Sequence, residues 1–334
     1  MVNIGVIGYG YWGPNLVRNF FSNSLCTVRK VVDAREERLG QVKTLYPSVG
    51  ISKDPDAILK DPEIDGVVIA VPASLHYEIA RQALMNDKNV LVEKPLTDSR
   101  EKALRLIDLA HKKEKVLMVD HTFLYTGAVK KIKNLICSGE IGDIQFFDSV
   151  RINLGLFQND ISVVWDLAPH DISILEYLIE ARPYSVAATG ISHISNNMEN
   201  IAYITLYFEA DIIAHFNVSW TSPVKIRQIL IGGTRKMVLY DDLEPTEKVR
   251  IYDTGYKVKS EEDQKRLLVN YRVGDIYIPK LDTTEALNYM TADFINAILR
   301  NTEPLSNWER GLSVVSILEA AETSIRNKGK EVIL

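Results

Sequence analysis

Through about residue 122, short β-branched apolar runs alternate with segments in which apolar residues recur three and four apart. "NIGVIG", "VRKVVD", "DGVVIAV", "NVLVEK" and "KVLMVD" have the character of strands. "NLVRNFF", "REERLGQVKTLY", "YEIARQALMN" and "SREKALRLIDLAHKK" have the helical period. Strands that are apolar throughout and separated by helices predict a doubly wound parallel sheet, covered on both faces and reached by right-handed crossovers. After residue 140 the rhythm changes to longer alternating segments, "GDIQFFDSVRINL", "IAYITLYFEA", "DIIAHFNVSW", "KIRQILIGG" and "KMVLYDD". These predict a large, open, mostly antiparallel sheet. Helices at about 284 to 300 and 308 to 327 close the chain, with Gly329 as a stop signal. The fold class is α/β, with one domain over 1–122 and a second over 123–334 whose C-terminal helices are free to pack back on the first.

Bulk properties agree with two domains and narrow the partners. A chain of 334 residues, at about 150 per domain, suggests two cores. A formal net charge of -5 gives no general attraction to nucleic acid or to an anionic membrane, so any anion site must be local. No apolar run reaches the length of about 20 needed to span a bilayer, and "MVNIGVIGYG" lacks a signal-peptide layout, so a soluble cytoplasmic protein is expected. Cys26 and Cys137 have no metal-ligand spacing, and neither a disulfide nor a metal site is expected.

The first strand runs directly into "GYGYWGPN", where Gly8, Gly10 and Gly13 have G-x-G-x-x-G spacing and Pro14 opens a helix. Gly8 suits a tight turn, Gly10 lets the backbone approach a pyrophosphate, and Gly13 lets helix and strand pack closely. Tyr11 and Trp12, inside the same turn, join the expected cofactor contacts, and the helix N-terminus receives the phosphates. The second strand ends in Asp33, 20 residues after Gly13, where a carboxylate accepts from the adenosine ribose hydroxyls and repels a 2'-phosphate. NAD is therefore favoured over NADP, although nearby Arg35 is of a type that accommodates the phosphate.

Further along stand "AVPASLHYEIA", "VLVEKPLT" and "WDLAPHD". With the glycine motif upstream, this order resembles the glucose-fructose oxidoreductase, inositol dehydrogenase (Gfo/Idh/MocA) family over nearly the whole chain. The E-K-P tripeptide and the D-x-x-x-H motif are the most specific parts. The resemblance implies a Rossmann domain, a larger α/β domain built on an open sheet, and an active site in the cleft between them. It also implies catalytic roles for Lys94, Asp166 and His170, and a loop beside the nicotinamide containing Pro72 and His76. Glu93 is read as a structural or cofactor-contacting acid.

"VLMVDHTFLYTGAV" departs from the commoner pattern of that family, with Asp120, His121, Thr122, Phe123 and Leu124 in place of a glycine, an aromatic, an asparagine and basic residues. The departure suggests the nucleotide-sugar branch, which oxidises C3 of UDP-N-acetylglucosaminuronic acid. His121, Arg151, Asn153, Lys225 and Arg227 are candidate contacts to an acidic sugar or a diphosphate, against the commoner role of such strand cations as solvated or interface charges. The expected chemistry is reversible alcohol-to-ketone oxidation of a sugar. His170 takes the hydroxyl proton, or else Lys94 does, and the other stabilises the alkoxide. A simple sugar or inositol dehydrogenase is the alternative within the class. A non-catalytic dinucleotide sensor and a redox-neutral enzyme with tightly held NAD lie outside it. Within "WDLAPHD", Asp166 is expected to cap a helix with Pro169 in its first turn, keeping His170 neutral. The apolar strands "IAYITLYFEA" and "IIAHFNVSW" predict a homodimer or homotetramer formed through the second sheet.

Overall fold

The computed structural model describes residues 1–155, 161–193, 198–257 and 270–334. They form two compact units: Met1–Tyr125 with Thr284–Glu319, and Thr126–Thr283 with Ala320–Leu334.

The first unit is built on six strands, β1 (Val2–Ile7), β2 (Cys26–Val32), β3 (Gly50–Ser52), β4 (Gly66–Ile69), β5 (Asn89–Glu93) and β6 (Leu117–Asp120). They lie in the order β3-β2-β1-β4-β5-β6, and every neighbouring pair is parallel. This is the strand order of the doubly wound dinucleotide-binding fold. All four residues of β4 are buried, as a strand covered on both faces requires. The reading of the sequence lacked β3, whose three residues are too short to set a period. Helices α1 (Gly13–Phe21), α2 (Glu36–Leu45), α3 (Asp56–Leu59), α4 (His76–Met85) and α5 (Arg100–Lys113) connect the strands. The helix Ala286–Arg300 returns to this unit, where Phe294 meets Phe20 of α1 edge-on at 6.2 Å and Glu285 pairs with Arg18 at 2.6 Å.

The second unit carries α6 (Gly127–Cys137), α7 (Val163–Leu178) and a nine-stranded sheet. The central strand of that sheet is β7 (Ile144–Leu154). On one side of it lie β10 (Ile213–Ser219), β9 (Ile201–Phe208), β8 (Pro183–Ile191) and the short strand Val332–Ile333; on the other lie β11 (Thr221–Gly233), β12 (Met237–Asp241), β13 (Val249–Tyr252) and the short strand Ile276–Tyr277. Only the β7–β10 pair is parallel among these. In β9, Ala202, Ile204, Leu206 and Phe208 are buried while the intervening residues are more open, which is the period of a sheet with one covered face. The helix Trp308–Arg326 stops as expected near Gly329, which takes φ +83° and donates its N–H to Ser324 O at 2.9 Å. Among the described residues, no helix is long and apolar enough to cross a membrane.

Two expectations change in this unit. First, α7 begins at Val163 with Ser162 as its N-cap residue, so Asp166 lies in the first turn and does not cap the helix. Pro169 is inside the helix, one turn later than expected. His170 therefore lies past the first turn, where the influence of a helix N-terminus on charge has largely fallen away.

Second, Arg151 is only 2% exposed, with its Nε donating to Asp171 Oδ2 at 2.9 Å and its Nη2 to Oδ1 at 2.6 Å. The Ser149 hydroxyl donates to the same carboxylate at 2.8 Å. The expected substrate contact at Arg151 gives way to a different role, because this guanidinium is committed to fastening α7 onto β7. Breaking a buried pair leaves one charge without compensation, whereas replacing both members with apolar groups is often neutral. We predict that Arg151→Ala lowers the stability of the second unit by about 3–5 kcal/mol. An Arg151→Met, Asp171→Leu double variant should regain most of it, read by urea unfolding; a single variant as stable as the parent would refute the assignment.

Candidate functional site

The turn after β1 has the backbone that its glycines predict. Gly8 takes φ +101°, and a Cβ there would stand 2.2 Å from Ala70 O. At Gly13 a Cβ would stand 2.4 Å from Gly8 O, so the helix can only approach the turn this closely without a side chain. Gly10 is open by contrast, its nearest neighbour being Arg35 Nη2 at 3.6 Å. Tyr11 projects into solvent at 92% exposure. Trp12 is the N-cap residue of α1 and makes no side-chain cap bond, which leaves the helix terminus suited to an anion.

Asp33 follows the last residue of β2 and is buried. Its Oδ2 accepts the Tyr9 N–H at 2.7 Å, and its Oδ1 accepts the Arg35 N–H at 2.9 Å. The Arg35 side chain adds Nε to Oδ1 at 3.0 Å and Nη2 to Oδ2 at 3.1 Å. Burial by itself would raise the pKa of this carboxyl, but the bonds from Arg35 and Tyr9 outweigh it and hold it below the usual carboxylate range. Asp33 is thus an ionised acceptor at the end of β2, shielded by the half-exposed side chain of Arg35. A tight turn, an open helix terminus and this carboxylate fit the pyrophosphate and ribose of a dinucleotide.

The neighbouring strand ends complete the edge. Pro72 is exposed just past β4 and precedes the 3-10 turn Ala73–Leu75. His76 is 1% exposed, with Nδ1 2.7 Å from Pro95 O and Nε2 2.9 Å from Val71 O. A neutral ring has one N–H and can donate to only one of these carbonyls. Burial lowers the pKa of His76, the two carbonyls oppose that, and the Lys94 charge adds to the lowering. The ring ties the loop after β4 to the segment after β5. Lys94 directly follows β5, and its peptide bond to Pro95 is cis.

Glu93, the last residue of β5, is raised well above the usual carboxylate range, first by burial and then by the charge and hydrogen bond of Asp120. His121 is 1% exposed, and neither ring nitrogen has a hydrogen-bond partner. Burial, with the charges of Arg310 and Lys94, pushes its pKa down to about 3, so this ring is neutral. It is a buried neighbour of Lys94, and the structure does not present it as an exposed sugar contact. The side chain that sequence reasoning passed over is Asp120, whose Oδ2 accepts the Trp12 indole N–H at 2.9 Å. The signal was present, since Asp120 stands where the resembling family commonly differs.

In the second unit, Asp166 and His170 are four residues apart on α7 and so share a face of the helix. The Trp220 indole N–H donates to Asp166 Oδ2 at 3.1 Å. Asn153 is half-buried on β7, two residues from Arg151 and therefore on the same face of the sheet. Arg227 lies beside Arg151 in the β7–β11 register and pairs with Asp242 at 3.4 Å. Lys225 is exposed beside a shallow depression that also holds Asp241 and Glu244. Within the second unit the strand cations are divided between a buried ion pair, a partial pair and the surface.

The model of an oxidoreductase family with an NAD-binding Rossmann fold matches residues 2–121, and that of the GFO/IDH/MocA C-terminal domain matches residues 129–239. An uncharacterised oxidoreductase of Schizosaccharomyces pombe is 32% identical over 289 residues, covering 79% of this chain and 78% of that protein. A scyllo-inositol 2-dehydrogenase (NAD(+)) of Bacillus subtilis is 28% identical over 249 residues, covering 70% of each. Among solved structures, a UDP-N-acetylglucosamine 3-dehydrogenase from Acidithiobacillus ferrooxidans shares the fold at a TM-score of 0.82, with 22% identity over 98% of both chains. The glycine turn, the carboxylate after β2 and the lysine after β5 therefore stand in a chain that belongs to the GFO/IDH/MocA family of NAD-binding oxidoreductases.

Proposed function

We propose that this chain is an NAD-dependent sugar dehydrogenase that interconverts a secondary alcohol and a ketone. The observation that carries the reading is the gathering of the glycine turn, Asp33 and Lys94 at the C-terminal ends of one parallel sheet, where ligands of such sheets bind. The likeness to an inositol dehydrogenase over 70% of the chain supports a cyclic polyol or sugar as substrate. Bound NAD+ would supply the acceptor for the hydride that leaves the carbinol carbon. His170 takes the hydroxyl proton as that bond breaks, and Asp166, four residues earlier on α7, orients the imidazole. The Lys94 ammonium stabilises the negative charge that develops on the substrate oxygen. The narrower substrate reading is a nucleotide sugar oxidised at C3, such as UDP-N-acetylglucosaminuronate; it rests on the departure at Asp120–Leu124. The fold likeness to a UDP-N-acetylglucosamine 3-dehydrogenase, at 22% identity, adds nothing about substrate.

Replacing His170 with Asn is predicted to slow hydride transfer by about 10²- to 10⁴-fold, with much less effect on dinucleotide affinity. Single-turnover absorbance in the reduced-nicotinamide band, with nucleotide sugars and simple polyols as alternative substrates, reads both the rate and the substrate class. Wild-type turnover in the variant would remove His170 from the mechanism.

The ionised Asp33 predicts a higher kcat/KM with NAD than with NADP. Removing its shield with Arg35→Ala should widen that ratio, and equal or better turnover with NADP in the parent would overturn the preference. We further infer that Tyr203, 46% exposed, and Ile213, 47% exposed, lie in a homodimer or homotetramer interface formed through β9 and β10. Sedimentation at micromolar protein should give a multiple of the 37.7 kDa chain mass; a monomer would refute it.

A further inference from the structure

Asp120 has no part in the reading above, yet it is bonded to the turn that carries the glycines. Strands β5 and β6 run parallel with Glu93 and Asp120 in register. Burial first, and then the neighbouring Asp120 carboxyl, hold Glu93 well above the usual carboxylate range. Asp120 also accepts the Trp12 indole N–H on Oδ2 at 2.9 Å and the Thr122 hydroxyl on Oδ1. Trp12 is the residue at the open N-terminus of α1, inside the glycine turn. One side chain thus links the turn expected to receive the pyrophosphate to the strand end that carries Lys94.

We propose that Asp120 is a positioning residue for the dinucleotide: by accepting the Trp12 indole N–H it holds the glycine turn at the strand end that carries Lys94. The proposal rests on the dinucleotide site at that turn.

The test measures the Kd for NADH by nicotinamide fluorescence on the full chain. Trp12→Phe keeps a ring but removes the N–H, and should raise Kd roughly 3- to 10-fold, the range expected for one hydrogen bond. Asp120→Leu removes the acceptor and should raise Kd by a similar factor, and the Trp12→Phe, Asp120→Leu double variant should bind no more weakly than either single one; Asp120→Asn keeps an oxygen that accepts the N–H and should bind as the parent does. Unchanged NADH affinity in Trp12→Phe, or additive losses in the double variant, would overturn the proposal. A parent chain that binds no NADH would instead overturn the dinucleotide site itself.

Discussion

All six strands of the first unit run in one direction, and the chemistry assigned to that unit depends on this constraint. A parallel strand must be re-entered from the same end, so each crossover carries the chain back along a face of the sheet. The strands become apolar because both faces are covered. Polar side chains are then displaced to the edges, and the C-terminal ends collect Gly8, Asp33, His76, Glu93, Lys94 and Asp120 from across more than a hundred residues. At that edge, main-chain donors of the β1–α1 turn lie beside carboxylates and a lysine. No one of these is specific by itself; their shared edge is what makes a dinucleotide site.

Gathering charges where water is scarce creates a second demand, and the two units meet it differently. In the second unit Arg151 and Asp171 are both buried and opposite in sign, and a two-pronged bond with a serine hydroxyl satisfies them. Nothing in that arrangement must change during a reaction, so it serves to fasten a helix. In the first unit Glu93 is buried in register with Asp120, and burial raises it well above the usual carboxylate range, which favours the uncharged acid. His121 meets the demand in a third way, staying neutral with two unpartnered nitrogens.

Much of this was legible in the sequence, for physical reasons that differ by element. The periods of β1, β2, β4, β5 and β6 predicted a parallel sheet because burial on both faces leaves a continuous apolar run. The glycine turn was legible because its backbone tolerates no Cβ at Gly8 or Gly13. Arg151 was misread, because a strand cation is the same letter whether it faces solvent or a buried carboxylate twenty residues away. The role of Asp120 was hidden for a related reason: its partner Trp12 is 108 residues distant, and no local pattern encodes their meeting.

"WDLAPHD" shows where local reading reaches its limit. A proline near an acid and ahead of an apolar periodic run has the composition of a helix start, and the expectation of a cap at Asp166 followed from that. The helix instead begins four residues earlier, because Val163, Val164 and Trp165 are buried and carry the helix with them. Tertiary burial outweighs the preference of proline for a first turn, at the expense of one main-chain bond. The earlier start has a chemical consequence. A cap residue has non-helical backbone, and its side chain turns back toward the N–H groups that it satisfies. Within the helix, Asp166 is released from that duty and holds a fixed i, i+4 relation to His170, with the Trp220 indole bracing its carboxylate. In the mechanism we propose, that spacing lets Asp166 orient the His170 imidazole, so the element that defeated the local reading is the one that serves the proposed pair.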